Sequence, residues 1–426
     1  MTLARIAARN LLRNRRRTLL SLAGITMGVV AMVGFRGLII GQREMMLGNL
    51  VGGVAGALQI HKKGYVANVQ ALPLSLAMAD SEDLRRRIRA VEGVVEVAPR
   101  ISFGAMLSLP EDTPGTGGST PDVAGKTGFF VATAIDPVLE RKVTPRRFDW
   151  MAAGRVFDSA SERAVVLNED LARSLGLDPT AAPSRDELQW PGLVAADKDG
   201  APNGEAVVLT GVFNQGAPGD KKNGIVPLAV AQRLLRMEGQ VTEYAVAVRS
   251  LDEAHAVRDR LREALGPDYE VHAWDELLPF INDMIGIQDL VLGLIGLVVL
   301  VTVLLVIANA MLMNVLERVR EIGTMLAVGT RRRQVSQMFL QEGAILGAVG
   351  GLVGALLGYA LVMFLNHRGI AFNTPGTNFT NLLRPLVPVA YLAQAMLTAT
   401  LGAALAAVWP AWRASKLQPI DALRAL

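Results

Sequence analysis

The chain has 426 residues, of which 51% are hydrophobic and 19% are charged, and its formal net charge is +4. A chain this long and this apolar exceeds a bundle of a few membrane helices, so we expect membrane spans together with at least one water-exposed domain. The absence of cysteine excludes a disulfide framework, a CxxC metal site and a thiol nucleophile. The basic residues concentrate at the ends of apolar runs, which favours membrane topology over nucleic-acid binding as their explanation.

The first 17 residues contain six arginines and no acidic residue. Apolar side chains recur on one stripe of this stretch, which predicts a basic amphipathic helix at the cytoplasmic membrane surface over residues 1–17. The apolar run that follows, residues 18–40, is long enough to cross a bilayer. It is also too long for a typical signal-peptide core, so we predict that it is retained as transmembrane helix 1.

Residues 41–286 contain no apolar run long enough to span a membrane, and we predict that they form one large extracytoplasmic α+β domain. Two βαβ-like units frame this region, which predicts one subdomain formed by residues 41–109 and 236–286 around an insertion. The predicted strands of these units are residues 58–62, 94–97 continuing into 101–109, 244–248 and 269–272.

The insertion, residues 110–235, is predicted to form a second subdomain that is rich in strands and loops. Asn168 suits a helix N-cap and Gly176 suits a helix C-terminus, which predicts a short helix between them. Two stretches rich in turn-forming residues, 110–128 and 181–204, are predicted to be flexible. The predicted strands of the insertion are residues 129–135, 164–167 and 206–213.

Three more apolar runs follow the external domain. They predict transmembrane helices 2, 3 and 4 at residues 287–313, 343–365 and 387–409. The segment between helices 2 and 3, residues 314–342, is rich in arginine, which places it in the cytoplasm by the positive-inside tendency. Residues 366–386 then form a short loop on the external side, and residues 410–426 form a cytoplasmic tail. The predicted protein thus has four transmembrane α-helices and two cytoplasmic termini.

The third predicted span carries two rows of glycines at helical spacing. Each row flattens one face of the helix, so a neighbouring helix can approach closely there. We interpret the rows as packing surfaces rather than as parts of a transport path. They consist of Gly343, Gly347 and Gly351, and of Gly350, Gly354 and Gly358.

The arginine-rich segment between helices 2 and 3 has an amphipathic pattern. Its apolar stripe is formed by Val315, Val319, Ile322 and Leu326. The charged residues that fall largely away from this stripe are Glu317, Arg318, Arg320 and Glu321. This pattern predicts a short helix lying at the cytoplasmic surface of the membrane. The alternative is a solvated cytoplasmic loop whose arginines only reflect the positive-inside tendency.

The same segment resembles the signature cytoplasmic loop of the FtsX-like, or MacB-type (type VII), ABC transporter permeases. The resemblance extends over about 25 positions, from Glu317 through Phe339, Leu340 and Glu342. In that family the loop is a coupling helix that docks on a separate ATPase subunit. The resemblance therefore assigns ATPase coupling to Glu317, Arg318, Arg320, Glu321, Ile322, Gly323, Met325, Ala327 and Gly329.

Several segments of the external region are similar to one branch of this family, the lipoprotein-releasing LolC/LolE permeases. In that branch the domain resembles the porter and sabre subdomains of MacB-type proteins, which makes residues 41–109 and 236–286 the porter-like part. The resemblance implies release of lipoproteins from the inner membrane to a periplasmic carrier. The segments are GALQIHKKGY, ATAIDP, AVVLNEDLARSLGL, TGVFNQG and VPLAVAQRLL.

The sequence contains no GxxxxGK[ST] phosphate-binding loop, and its four histidines are scattered. We therefore expect no enzyme activity and no cofactor in this chain, with ATP and Mg²⁺ bound by a partner ATPase. The resemblance implies two ATPase subunits per complex and a second permease chain, identical or homologous. The other expected partners are membrane lipid and a periplasmic lipoprotein carrier or adaptor protein, in the cell inner membrane.

Three functions remain open at this point. The chain is a lipoprotein-releasing permease, a MacB-like efflux permease that works with an adaptor and an outer-membrane channel, or an FtsX-like non-transporting regulator of periplasmic enzymes. In each case closure of the ATPase would push the coupling helix, and the first two spans would carry the motion to the external domain.

Overall fold

The computed structural model describes residues 15–110, 125–181, 184, 186–214, 221–277, 279–373 and 380–416. The chain divides into two compact units. The first, the helical unit, combines Met1–Glu44, Asp283–Ile370 and Leu382–Leu426, and the second, the sheet unit, combines Met45–Asn282 and Ala371–Asn381. Of the amphipathic helix predicted at residues 1–17, residues 1–14 lie outside the described residues and residues 15–17 begin the first long helix, and the end of the tail, residues 417–426, lies outside them as well.

The helical unit contains most of four long helices, of which residues 45–50 and 279–282 are counted with the sheet unit. They are α1 (Arg15–Leu50), α9 (Pro279–Glu317), α11 (Arg332–Arg368) and α12 (Val389–Ser415). Each is long and apolar enough to cross a membrane, which confirms the prediction of four transmembrane helices. A shorter helix, α10 (Val319–Ala327), lies between α9 and α11 in the chain, and the loop after α11 contains a two-stranded hairpin, β14 (Ile370–Asn373) and β15 (Thr380–Leu383).

Helices α1 and α9 are much longer than the spans predicted for them. Their 36 and 39 residues correspond to about 54 and 58 Å, against a hydrocarbon core of about 30 Å. Residues 41–50 and 279–286 are therefore helical, although we predicted them within the external domain. Hydropathy marks where lipid ends, whereas a helix continues until its backbone is redirected. The path of α1 goes on through a π-helical turn, Val51–Ala55, and ends at Gly56, whose φ is +79°.

The sheet unit is an α+β domain around one large mixed sheet. Its strands are β1 (Leu58–Lys62), β3 (Val94–Ser108), β4 (Thr127–Ile135), β5 (Met151–Gly154), β6 (Ala164–Asn168), β7 (Gly192–Ala196), β8 (Pro202–Ala206), β9 (Val208–Phe213), β10 (Asn223–Pro227), β12 (Glu243–Val248) and β13 (Tyr269–Ala273). A separate pair is β2 (Met78–Ala79) with β11 (Gln240–Val241). The helices are α2 (Glu82–Arg89), α3 (Pro137–Val143), α4 (Arg146–Asp149), α5 (Glu169–Leu175), α6 (Leu228–Leu234), α7 (Ala254–Leu265) and α8 (Trp274–Leu277).

The two predicted βαβ-like units are present as interlocked split βαβ units. Strands β13, β1, β12 and β3 lie side by side in that order, and each neighbouring pair is antiparallel. Strands β1 and β3, which are connected through α2, are therefore parallel to each other, and β12 lies between them. Likewise, β12 and β13, joined through α7, enclose β1. This is the split βαβ arrangement, and it is formed by the chain segments on both sides of the insertion.

The insertion continues the same sheet. Strand β3 has 15 residues. Its first part pairs with β12, and its second part pairs with β4 and, at the end, with β7. From β4 the sheet runs on through β10, β6, β9 and β5. The core is formed by the apolar side chains that this sheet and its helices bury, among them Phe103, Val165 and Leu261.

The prediction that residues 181–204 are flexible was wrong for most of that stretch. Strands β7 and β8 form an antiparallel hairpin there, and β7 pairs with β3. The turn is closed by Asp197, whose Oδ1 accepts hydrogen bonds from the backbone N of Asp199 (3.0 Å) and Ala201 (2.9 Å), and Gly200 supplies a φ of +85°. Of the other stretch predicted to be flexible, 110–128, residues 111–124 lie outside the described residues, and Thr127 and Gly128 belong to β4, so the prediction was wrong for them.

A buried ionic cluster caps the end of the α1 path. Arg100 forms ion pairs with Glu140 (Nη2–Oε1, 2.6 Å) and Glu243 (Nη1–Oε1, 3.0 Å), and Arg147 lies 3.5 Å from Glu140. Both arginines also donate hydrogen bonds of 2.9 Å to the backbone O of Val54, in the π-helical turn. Carbonyl oxygens at a helix C-terminus carry partial negative charge, so guanidinium groups stabilise them there.

The charges in this cluster shift one another's pKa values. Burial by itself would raise the pKa of Glu140, but the guanidinium groups of Arg100 and Arg147 outweigh burial and hold this pKa below its ordinary value. Burial likewise opposes the charged form of Arg100, yet Glu140 and Glu243 raise its pKa. For Arg147, burial, opposed by Glu140 and reinforced by Arg100, lowers the pKa to about 10.

Candidate functional site

The residues predicted to couple to an ATPase lie in the connection between α9 and α11, which contains a bend at Arg318 followed by helix α10. Helix α9 ends at Glu317, and Arg318 leaves helical geometry with φ −108° and ψ 16°. Helix α10 then begins at Val319, and its first turn is joined to the bend by a hydrogen bond from Ile322 N to Arg318 O (2.9 Å). The predicted amphipathic helix is thus α10, a separate short element.

Helix α10 ends in a Schellman motif. Gly329 has a φ of +100°. Its N donates to Leu326 O (3.1 Å), and Thr330 N donates to Met325 O (3.0 Å). The side chain of Gln334 then accepts from Arg331 N (3.0 Å), where α11 begins. Gly329 therefore has a conformational role, because a residue with a Cβ is strained at this φ.

One face of α10 is buried against the neighbouring helices. Ile322 is 1% exposed, and Gly323 is buried beside it. Ile322 belongs to the same apolar cluster as Val315 of α9 and Phe339 of α11, and Met325 packs against this cluster. The predicted apolar stripe is therefore the face that fixes α10 within the helical unit.

Arg318 belongs to this interior, contrary to the prediction that it lies away from the apolar stripe. Its Nε donates to Glu321 (2.9 Å) and its Nη1 donates to Glu342 (3.1 Å). The guanidinium group also lies 6.0 Å from the centre of the Phe339 ring. Glu342 is only 1% exposed, and a buried carboxylate needs a partner of opposite charge. Arg318 and Glu342 therefore join the bend to α11.

The opposite face of α10 is exposed. It carries Arg320, Thr324 and Ala327, and it ends at Val328, which is 88% exposed. We call these four residues the outer face of α10. Glu317 and the following arginines of the loop, Arg331, Arg332 and Arg333, are exposed as well.

The structure thus divides the predicted coupling residues into two groups. The exposed residues are Glu317, Arg320, Ala327 and Gly329, and those that hold the bend together are Arg318, Glu321, Ile322, Gly323 and Met325. Thr324 and Val328 were missed in the sequence analysis. Val328 could have been identified from the sequence, because it is an apolar residue at the end of an amphipathic helix and does not belong to the apolar stripe.

The glycine rows of α11 lie against two different helices. A Cβ at Gly347 would lie 2.6 Å from the Cβ of Ala403 on α12, and a Cβ at Gly354 would lie 2.7 Å from the Cβ of Val29 on α1. The other glycines of each row make similar approaches. Gly343 and Gly351 meet Ala407 and Ala399 of α12, whereas Gly350 and Gly358 meet Ile25 and Val33 of α1. Helix α11 is therefore held between α12 and α1.

Two protein-family models match this chain. The MacB-like periplasmic core domain matches residues 18–264, which is more than half of the chain, and the FtsX-like permease C-terminal domain matches residues 293–419. The second match includes α10, the bend and both glycine rows. Within the described residues, no group of three or more His, Asp and Glu side chains is arranged to hold a metal ion.

Curated relatives carry the name macrolide export ATP-binding/permease protein MacB. One from Paracoccus denitrificans is 25% identical over 99% of this chain, and one from Mannheimia succiniciproducens is 24% identical over 96%. The chain spans only 58% and 59% of the lengths of these relatives. The solved periplasmic region of MacB from Actinobacillus actinomycetemcomitans aligns with 54% of this chain and 94% of its own length, at 14% identity and a TM-score of 0.33. From the family-model matches, this chain belongs to the permeases that carry a MacB-like periplasmic core domain.

Proposed function

We propose that this chain is the membrane subunit of an ATP-driven ABC transporter, and that the ATPase docks on the outer face of α10. One observation carries the proposal: α10 is anchored on one side by Ile322 and the Arg318 ion pairs, while its other side exposes a basic and an apolar residue, Arg320 and Val328. A rigidly held helix with an exposed face is suited to receive a push from a partner. ATP and Mg²⁺ would bind on that partner, because the sequence has no GxxxxGK[ST] loop.

The proposed movement follows the bonded path from α10. Because Arg318 pairs with Glu321 on α10 and with Glu342 on α11, a displacement of α10 reaches both α9 and α11. Helices α9 and α1 are each longer than a bilayer is thick, so they can carry the displacement beyond the membrane. The working complex would contain two permease chains and two ATPase subunits. The predicted boundaries of the spans and loops, with the termini in the cytoplasm of an inner-membrane protein, remain part of this proposal.

For the cargo, we propose export in the manner of MacB rather than lipoprotein release. The proposal is supported by the names of the relatives, which are macrolide exporters. An exporter of this kind would move small hydrophobic compounds and would work with a periplasmic adaptor and an outer-membrane channel. The comparisons do not show the LolC/LolE branch, so lipoprotein release to a carrier stays a prediction.

The proposal can be tested by purifying the tagged chain from its native membrane in mild detergent and identifying the proteins that accompany it by mass spectrometry. We expect an ABC ATPase with the wild type and a large loss of it with the double variant Arg320→Glu, Val328→Asp. The matched control is Arg249→Glu, which reverses an exposed charge in the sheet unit and should leave the ATPase bound.

Two outcomes would count against the proposal. Equal recovery of the ATPase with the double variant and with the wild type would remove α10 from the docking site. Recovery of a soluble lipoprotein carrier in place of a periplasmic adaptor would indicate lipoprotein release instead of export. Recovery of a peptidoglycan hydrolase in its place would indicate regulation of a periplasmic enzyme.

A further inference from the structure

A cavity of about 380 Å³ lies between α1 and α9, with Tyr391 of α12 at its edge. The two helices meet closely on one side of it, where a Cβ at Gly28 of α1 would lie 2.6 Å from Val303 of α9. Two turns further along α1 the helices leave room for the cavity, which Phe35, Leu292 and Ile295 line with apolar surface.

Two charged side chains, Arg36 and Asp289, line one end of this cavity. Asp289 of α9 pairs with two arginines of α1, Arg43 (Nη2–Oδ1, 3.0 Å) and Arg36 (Nη1–Oδ1, 3.6 Å). Two guanidinium groups thus share one carboxylate, so these three side chains carry a combined charge of about +1. Arg36 also lies over the Tyr391 ring, 5.6 Å from its centre, so this side chain is held at the cavity wall.

The arginines retain hydrogen-bonding capacity. The Nε atoms of Arg36 and Arg43 are buried, and neither has a hydrogen-bond partner among the residues that the structure describes. The two Nε atoms themselves are inaccessible, but the side chains of Arg36 and Arg43 are 33% and 27% exposed, so their other N–H groups can donate to a ligand that supplies anionic oxygen atoms. Phosphate oxygens match guanidinium donors well in charge and geometry.

The shape of the site adds a second requirement for the ligand. The charged end is continuous with the apolar lining, and both lie within helices long and apolar enough to span a membrane. A soluble phosphate compound would fill only the charged end, whereas a phospholipid would also cover Phe35 and Ile295 with an acyl chain. Apolar side chains on the adjoining turns of α9 are also accessible in this chain, since Ile287 and Leu290 are 64% and 63% exposed.

We propose that this cavity binds one anionic phospholipid, with its phosphate on Arg36 and Arg43 and an acyl chain along the apolar wall. The local positive charge favours a headgroup with net negative charge, such as phosphatidylglycerol, over a zwitterionic headgroup. The proposal does not depend on the ATPase assignment, because every residue that carries it lies away from α10 in the chain.

The test measures lipid that stays bound to the full chain. The protein is reconstituted in bilayers of equal phosphatidylglycerol and phosphatidylethanolamine and washed in mild detergent, and the retained lipid is counted by mass spectrometry. Loss of one charge-assisted hydrogen bond corresponds to about tenfold weaker binding, so we expect the double variant Arg36→Gln, Arg43→Gln to lose most retained phosphatidylglycerol. Arg368→Gln, which neutralises an exposed arginine at the end of α11, is the control and should retain it.

The variant Asp289→Asn separates ligand binding from a purely structural ion pair. Removing the carboxylate raises the positive charge of the site, so the proposal predicts retention equal to or above that of the wild type. If the cluster only holds α1 against α9, Asp289→Asn and the arginine variants lose lipid alike, and the proposal fails. It also fails if inorganic phosphate displaces the retained lipid, if both lipids are retained equally, or if the arginine variants match Arg368→Gln.

Discussion

Arg318 stabilises the bend by neutralising a carboxylate that the fold has taken out of water. Glu342 is 1% exposed and Arg318 has a side-chain exposure of 11%, so neither charge is well solvated. Removing one partner of such a buried pair leaves the other uncompensated, which is the costly event, whereas replacing both partners by apolar residues is much less so.

We predict that Arg318→Leu lowers the free energy of unfolding by about 3 kcal/mol, and that Glu342→Leu alone does the same. The double variant should lose less than the sum of the two, because it leaves no buried charge. Denaturant unfolding of the purified chain in mixed micelles measures these values. The exposed Arg320→Leu is the control, and an equal effect of Arg318→Leu and Arg320→Leu would contradict the interior role of Arg318.

A second prediction concerns acid and the Arg100–Glu140 cluster. The folded pKa of Glu140 lies below its ordinary value of 4.5. Its contribution to stability is therefore fully present above that value and is lost as the pH falls through the lower folded pKa. We expect the wild type to lose stability below about pH 4.5, as followed by Trp fluorescence, since Trp150 is only 3% exposed.

The control for this acid effect is Glu140→Gln. This variant lacks the titrating carboxyl group, so it should be less stable at neutral pH and should show a smaller further loss in acid. If the wild type and Glu140→Gln lose stability in parallel between pH 5 and pH 3, other carboxyl groups account for the acid effect.

Local signals in the sequence predicted some residue roles well. Asn168 accepts a hydrogen bond from Asp170 N (3.0 Å), and Gly176 ends the helix with a φ of +72°, as their residue types predicted. The exposure of Arg318 was predicted wrongly, because its partner Glu342 lies 24 residues away in the sequence. Helical periodicity shows which residues share a face of one helix, but it does not show which charged side chains of another helix contact that face.

At the scale of elements, α11 packs closely against two neighbouring helices because glycines on two of its faces have no side chains. The row that includes Gly347 faces α12, and the row that includes Gly354 faces α1. Without a hydrophobic driving force inside lipid, such close approaches provide much of the packing between helices.

We predict that Gly347→Val separates α11 from α12. Its Cβ would lie 2.8 Å from Ala399 O, and a backbone atom cannot yield as a flexible side chain does. The expected loss of stability is about 1–3 kcal/mol, measured as a lower unfolding temperature in detergent. The neighbouring Ala348→Val is the control, since Ala348 is exposed. Equal unfolding temperatures for the two variants would show that the glycine row does not determine this packing.

The sequence predicted which segments are helices and principal strands better than it predicted which of these elements pack against one another. Spacing showed that α11 has two flat faces, but the sequence of α11 alone does not say that α1 and α12 fill them. The β7–β8 hairpin was overlooked because β8, Pro202–Ala206, consists of residues that are rare in strands, although Asp199-Gly200 is a dipeptide typical of such turns.

At the scale of the whole molecule, the inserted segment and the subdomain it interrupts share one sheet. This follows from the length of β3, whose 15 residues provide edges for both parts. Sequence patterns predicted the two parts and their order. Their continuity depends on strand pairing across more than 100 residues, which no local pattern encodes.

The central claim, that an ATPase docks on the outer face of α10, is tested most directly by cross-linking. The chain has no native cysteine, so Val328→Cys provides a single reactive thiol at the exposed tip. A photoreactive cross-linker attached there in native membranes should yield one adduct that mass spectrometry identifies as this chain joined to an ABC ATPase. The same label at Leu356→Cys, 60% exposed within α11, should not yield that adduct. If Val328→Cys gives no ATPase adduct, or gives no more than Leu356→Cys, the account of coupling is contradicted.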